Sequence, residues 1–252
     1  SQKGPLSTGR GSAGATGNQN FGYIGGGTAP GYTSDVERID YGNDTATASP
    51  KGPLNFAKYR LAGTGNADFG YLAGGGAPSV PDASTTVERI DYSNDTATVS
   101  PKGQLNNPHS LHTATGNQSF GYFAGGFPSS STKIDRIDYS NDTATALDKG
   151  LLISGRFQLS ASSSRAHANP THTLNPASSP RPNITSAGTD LGYFGAGSYP
   201  SVSAYKSTVD RIDFNNDTAT ASPKGNLSRT TQNHGGASSN TGGYFFGRFP
   251  AA

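Results

Sequence analysis

Four times in this chain an Arg, two Asp, an Asn and a Thr recur in one order. They are Arg38 and Asp40 with Asn43-Asp44-Thr45, Arg89 and Asp91 with Asn94-Asp95-Thr96, Arg136 and Asp138 with Asn141-Asp142-Thr143, and Arg211 and Asp213 with Asn216-Asp217-Thr218. Carboxylates and amides so spaced could ligate calcium through oxygen. The Asp-x-Asp-x-Asp-Gly order of a calcium loop is missing, however, and a hairpin built on Asx-type turns accounts for Asn-Asp-Thr without a metal. The Arg and the first Asp, two residues apart, fall on one side of an extended strand. A guanidinium buried there needs a carboxylate, either its neighbour or one from an adjacent unit. If Asp91 is that partner, Arg89→Ala strands a buried charge and costs about 3 kcal/mol. The competing reading is a ring of charge that binds an anion.

Other reactive groups are sparse. His109, His112, His167, His172 and His234 are scattered through variable segments. His109 and His112 could share a metal, but no third ligand accompanies them and solvated imidazoles are the simpler reading. No Gly-x-Ser-x-Gly elbow, phosphate loop or His-Glu-x-x-His motif occurs. Glycine-rich runs such as Phe69-Gly-Tyr-Leu-Ala-Gly-Gly75 lead into a turn and another strand, whereas phosphate loops lead into a helix N-terminus. Asn-Asp-Thr is also a glycosylation acceptor, as are the sequences at Asn117, Asn183 and Asn226. No cofactor and no metal is expected, and the chain reads as a scaffold or binding protein, not an enzyme.

Composition bounds the partners. A net charge of +2 supplies no field that would draw nucleic acid or an anionic membrane surface. Without cysteine there are no disulfides or thiolate metal sites, and the redox compartment stays open. No apolar run is long enough for a membrane helix, and Ser1 onward is not a signal peptide, which leaves export open. The lack of any Met predicts a processed chain or a piece of a longer one. With 31% apolar residues, 35 Gly and 16 Pro, order depends on a repeat.

That repeat is what must position the charged groups. Lys-Gly pairs begin at Lys3, Lys51, Lys102, Lys149 and Lys224, and Gly-Tyr pairs at Gly22, Gly70, Gly121, Gly192 and Gly243. Most steps are 47 to 51 residues, and the Gly-Tyr step across Leu151 to Asp190 widens to 71. Each unit predicts four strands, exemplified by Tyr59 to Asn66, Phe69 to Gly75, Thr86 to Tyr92 and Thr96 to Ser100. Thr-Gly-Asn, Ser-Asn-Asp and Pro-Lys-Gly supply the turns. No sustained helical period competes.

Four strands at a period near 50 residues resemble the kelch-type blade of a β-propeller. The resemblance is carried by the doublets Gly26-Gly27, Gly75-Gly76 and Gly125-Gly126, and by an acid after an apolar residue at Asp40, Asp91, Asp138 and Asp213. The Trp of the kelch fourth strand is absent; Ala or Val stands there, so the blades should pack smaller residues. A copper oxidase of kelch type would need Cys, which is lacking. The resemblance implies an all-β, kelch-like β-propeller of five blades of four antiparallel strands.

More narrowly, a Gly-Tyr-Phe run such as Gly121-Tyr-Phe-Ala-Gly-Gly126 followed by Asp135-Arg-Ile-Asp-Tyr-Ser-Asn-Asp-Thr-Ala-Thr-Ala146 resembles tandem-repeat structural proteins of marine bacteriophages, notably those infecting cyanobacteria. The likeness covers nearly the whole chain outside the long step. It implies a virion component: a tail, fibre or capsid-decoration module whose partners are other virion proteins or a host-surface receptor such as a glycan. The alternative is a secreted or cell-surface propeller that binds glycans or assembles into a filament.

In order, the single domain of 1–252 divides into units at about 8–55, 56–106, 107–154 and 155–228, with an insertion near 160–188 or, alternatively, a decayed blade there. A partial unit, 229–252, is completed by 1–7, so that both chain ends share one blade. Its third strand is missing. The charged repeat positions Arg38, Asp40, Arg89, Asp91, Arg136, Asp138, Arg211 and Asp213 are read as structural. Specificity is expected in the connections between second and third strands, at Thr28 to Asp35, Ala77 to Thr86, Phe127 to Thr132 and Ser198 to Thr208. Tyr32, Tyr199 and Tyr205 are the candidate contacts, since Tyr offers amphipathic area at low entropic cost. Plain solvated connectors are the alternative. Self-association is possible; neither nucleic acid nor membrane insertion is expected.

Overall fold

Glycine-rich second strands and β-branched third strands make a narrow sheet that cannot bury both of its faces alone, so neighbouring units must cover them. The computed structural model describes residues 3–77, 82–128, 131–163, 191–199, 204–231, 234–238 and 243–247. Blade 1 comprises β1 (Gly14–Gly17), β2 (Phe21–Gly25), β5 (Val36–Asp40) and β6 (Ser49–Lys51), with a small hairpin, β3 (Thr28–Ala29) and β4 (Gly31–Tyr32), between β2 and β5. Blade 2 is β7 (Ala62–Gly65), β8 (Phe69–Ala73), β9 (Val87–Asp91) and β10 (Ser100–Pro101). Blade 3 is β11 (Thr113–Gly116), β12 (Phe120–Ala124), β13 (Ile134–Asp138) and β14 (Leu147–Asp148). Blade 4 is β15 (Ser160–Ser163), β16 (Leu191–Tyr199), β17 (Ala204–Asp213) and β18 (Ser222–Lys224). A two-stranded piece, β19 (His234–Ser238) and β20 (Gly243–Gly247), follows.

All pairings within the blades are antiparallel, and the first strands β1, β7, β11, β15 and β19 neighbour one another in that order, which places them innermost. Within the described residues the expected five units therefore appear as four complete sheets and one two-stranded sheet. The fourth strand lies later than expected. Thr96 to Val99 alternates like a strand, yet Ala97 N donates to Asn94 O, which keeps this stretch in the hairpin, and pairing begins at Ser100. The insertion begins later too, because Ser160–Ser163 are β15; the rest of that segment, with His167 and His172, lies outside the described residues.

The Arg–Asp arithmetic of the sequence also resolves differently. Arg38 donates to Asp95 of the next blade at 2.7 Å, not to Asp40. Tyr23 Oη reaches the same Asp95 oxygen at 2.8 Å, and Lys51 Nζ the other at 3.3 Å. Blades 2 and 3 repeat this at Asp142, which gathers Tyr71, Arg89 and Lys102, and blades 3 and 4 at Asp217, which gathers Tyr122, Arg136 and Lys149. Rings stack across each junction: Tyr23 on Tyr92, Tyr71 on Tyr139, and Tyr122 on Phe214, with centroids 4.6–4.9 Å apart. Arg38, Arg89 and Arg136 also lie over Phe21, Phe69 and Phe120 of their own blades.

Asp40, Asp91, Asp138 and Asp213 instead cap the turn that follows, accepting from Gly42, Ser93, Ser140 and Asn215 backbone N–H groups at 2.8–2.9 Å. Arg211 keeps the strand register of its counterparts, opposite Tyr193, but no carboxylate among the described residues pairs with it.

Lysine and glycine at the end of the fourth strand have one purpose between them in blades 1 to 3. Gly52 N donates to Asp95 O, and a Cβ at Gly52 would sit 1.7 Å from the Ala97 carbonyl oxygen, so only glycine lets the outer strand reach the next hairpin. Lys3 and Gly4 dock in the same way on Asp44 and Ala46 of blade 1, as the tail of a fourth strand would. The expectation of small residues at the kelch Trp position holds: Ala48, Val99, Ala146 and Ala221 are all buried.

Burial works to raise the Asp95 pKa, but hydrogen bonds from Tyr23 and Arg38 and the Arg38 charge outweigh it and hold the carboxyl below its usual range. A depressed carboxylate contributes stability that is whole above its unfolded pKa of about 3.9 and lost as pH falls through the lower folded value. Asp142→Ala leaves Arg89, Lys102 and Tyr71 without their acceptor and should destabilise by about 3 kcal/mol in urea unfolding. Asp91→Ala, which removes only an exposed turn cap, should cost about 1 kcal/mol. Equal losses for the two would refute this division of roles.

Candidate functional site

Antiparallel order puts the starts of the first strands, the ends of the second strands and the connections between blades on one face. On that face the residue two positions before each complete first strand adopts a left-handed conformation: Ser12, Arg60, Leu111 and Gln158 have φ of 55°, 59°, 52° and 55°. Side chains of four kinds share this geometry, so the cause lies in the backbone. Arg60 N donates to Ser12 O at 2.7 Å, Leu111 N to Arg60 O at 3.2 Å, and Gln158 N to Leu111 O at 2.8 Å. Each blade thus hands one hydrogen bond to the next around the axis, against a strain of about 1–3 kcal/mol per residue. Inside this rim is a cavity of about 530 Å³ lined by Ser12, Ala13, Arg60, Leu61, Leu111, His112, Gln158 and Leu159.

Two residues before the rim, a base is buried against an acid in every complete blade. Arg10 pairs with Glu37, Lys58 with Glu88, His109 with Asp135 at 3.4 Å, and Arg156 with Asp210 at 3.2 Å. Ser7, Asn55, Asn107 and Ile153 backbone N–H groups donate to the same four acids. A carboxylate beside a histidine or lysine looks like acid–base machinery. Here the eight side chains are sealed from solvent, and each acid also accepts from a backbone N–H of the incoming connection, which makes the pairs clamps on that connection. Sequence reasoning missed them, although Arg10, Lys58, His109 and Arg156 recur in phase with the repeat. The glycine doublets serve the same connection: Gly26, Gly74 and Gly125, all at positive φ, would carry a Cβ 2.6–2.8 Å from the carbonyls of Lys58, His109 and Arg156. In blade 2 the working pair is therefore Gly74-Gly75 rather than Gly75-Gly76.

Of the tyrosines expected to make contacts, Tyr32 is 45% exposed on β4 and stacks on Tyr59, with centroids 4.6 Å apart. Tyr59 comes from the connection between blades 1 and 2, donates its hydroxyl to Asp82 at 3.0 Å, and lies 4.8 Å from the Arg60 guanidinium carbon. The sequence predicts a strand from Tyr59, whereas β7 begins at Ala62 and leaves Tyr59 in the connection. Tyr199 and Tyr205 are not in a connector: β16 and β17 continue past the blade as a hairpin arm in which Ser198 pairs with Tyr205 and Tyr199 with Ala204. Tyr205 is half-buried. Ser198 to Thr208 was expected as a connection, but alternating Tyr205, Ser207 and Val209 sustain the strand. No group of three or more His, Cys, Asp or Glu side chains suited to a metal occurs among the described residues. No helix among them is long and apolar enough to cross a membrane.

His112 is buried in the cavity wall, where Leu61 and Leu159 stand in the neighbouring blades, and neither ring nitrogen has a partner. Burial, helped by the nearby His109, pushes its pKa well below the usual imidazole value. Stability is then whole above the unfolded pKa of about 6.5 and falls as pH drops below it, because the unfolded chain takes up that proton more readily. His112→Leu should raise the melting temperature at pH 5 and leave a smaller difference between pH 5 and pH 8. An unchanged pH dependence would show that His112 is not the group responsible.

No protein-family model and no curated protein sequence matches the chain. Its fold is similar to that of the solved structure of YjhT, with a TM-score of 0.68 and 10% identity over 93% of this chain and 71% of that one. Four-stranded antiparallel blades, innermost first strands and this likeness together give the chain the fold of a kelch-repeat β-propeller.

Proposed function

We propose that this chain is a non-enzymatic adhesive module of a virus particle, which binds surface glycans through the loop-bearing face of the propeller. The observation that carries the reading is the exposed Tyr32–Tyr59 stack beside Arg60, assembled from two separate connections and tied by Asp82 to a third. Stacked phenols on a rigid base present a flat apolar face with polar edges at little entropic cost, which suits a sugar ring. The acids and bases that could do chemistry are consumed in blade junctions and clamps. The virus particle as its setting rests on the resemblance of the repeat to phage structural proteins.

On a glycan array the wild-type protein should bind, and Tyr32→Ala and Tyr59→Ala should each weaken binding by about tenfold, the worth of one aromatic contact. Tyr205→Ala, outside the stack, should bind as wild type does. An array on which nothing binds, or on which all variants bind alike, ends the adhesive reading. Mass spectrometry of purified virions should detect the chain; its consistent absence there, together with its presence in the secreted fraction of host cultures, would favour a secreted or cell-surface propeller.

A further inference from the structure

We propose that the axial cavity receives the carboxylate-bearing terminal residue of an acidic saccharide, with the Arg60 guanidinium as its anchor. The inference rests on the adhesive reading above and adds the chemical class of the ligand. Arg10, Arg38, Arg89, Arg136 and Arg156 each have a carboxylate within the described residues. Arg60, half-exposed in the cavity lining, has none. Its one close neighbour of note is the Tyr59 ring, so the charge is oriented but not neutralised.

The rest of the lining is short of acceptors. Among the described residues no Asp or Glu faces the cavity. The carbonyls of Ser12, Arg60 and Leu111 already accept from the next blade, and the Gln158 side-chain oxygen accepts from Ser198 Oγ at 3.1 Å. That leaves the Arg60 guanidinium, the Gln158 amide nitrogen, the Ser12 hydroxyl and the single N–H of the unpartnered His112 ring as donors. A planar carboxylate matches a guanidinium through two parallel hydrogen bonds. Leu61, Leu111 and Leu159 supply apolar wall for the carbon face of a sugar, and a cavity of about 530 Å³ lies within the range of small-molecule sites. Arg60 belongs to both the cavity and the Tyr59–Tyr32 stack, so a chain entering end-on would leave its following residues over the two rings.

Trigalacturonate, uncharged galactotriose and a sulfated galactotriose titrated into isotope-labelled protein test this by NMR. Trigalacturonate should shift the amides of Arg60, Leu111 and Gln158 and bind about tenfold tighter than galactotriose. Arg60→Gln should abolish that difference, Arg60→Lys should retain part of it, and added salt should weaken it. Should Arg60→Gln lower the melting temperature, Arg60→Lys and the salt titration carry the comparison alone. Equal binding of the charged and uncharged trisaccharides, tighter binding of the sulfated one, or indifference to both Arg60 variants overturns the proposal. If the array binds neutral glycans in a Tyr32-dependent way while Arg60→Gln has no effect, the adhesive reading stands and this inference falls. If the rim amides shift with trigalacturonate while the array stays empty, the cavity site stands and the adhesive reading falls.

Discussion

A single carboxylate at each junction between complete blades, accepting at once from a tyrosine, an arginine and a lysine of the preceding blade, is the interaction on which the rest of this structure depends. Asp95, Asp142 and Asp217 are each nearly buried, and an unpaired charge there would be expensive. Three donors saturate each one. The donors come from the second, third and fourth strands of one sheet, so one acceptor fixes the approach of the whole blade. Stacked aromatic rings then exclude water from the same junction. This is how a chain with only 31% apolar residues and no Trp holds a propeller together. Small residues such as Ala48 and Ala146 suffice at the fourth strand because the neighbouring unit supplies the bulk.

Much of that frame was legible in the residues. The period, the third strand at Val87–Asp91 and the glycine-bearing turns follow from alternation and turn chemistry. What was not legible is long-range register. Arg89 and Asp91 are two residues apart and share a strand face, which invites pairing them, yet the partner of Arg89 is Asp142 in the next unit. Nothing local distinguishes these acids. The difference comes from the hairpin, where the first Asp turns back to cap its own backbone while the second is carried outward to the preceding blade. The reach of β17 was not legible either, because the stretch around Tyr205 extends the hairpin by cross-strand pairing that no single strand reveals. The row Arg10, Lys58, His109, Arg156 was visible in phase but varied in residue type, and only its shared distance from the rim unites it.

Frame and face divide the molecule chemically. At the three junctions between complete blades the arginine and lysine charges meet a carboxylate, and the connections are clamped by buried acid–base pairs before they reach the axis. At the rim the backbone is fixed by hydrogen bonds from blade to blade, whereas the side chains of Ser12, Arg60, Leu111 and Gln158 differ completely. A position whose main chain is dictated by its neighbours and whose side chain is not can change identity without changing geometry. Arg60 occupies such a position, and its freedom from any carboxylate of the frame is what leaves its charge available.

The Asp–Tyr–Arg–Lys junction has a further consequence for how such a chain can vary over generations. Blades 1 to 3 present the same donors on one side and blades 2 to 4 the same acceptor on the other, so the order of these units is not encoded in their contacts. Lys3 and Gly4 already meet blade 1 as Lys51 and Gly52 meet blade 2. Recombination between any two copies therefore yields a matched joint, and a unit with a different connection can be exchanged for another without disturbing its neighbours. Such a repeat is a reservoir of interchangeable faces, in which new surface is acquired by copying instead of by stepwise substitution.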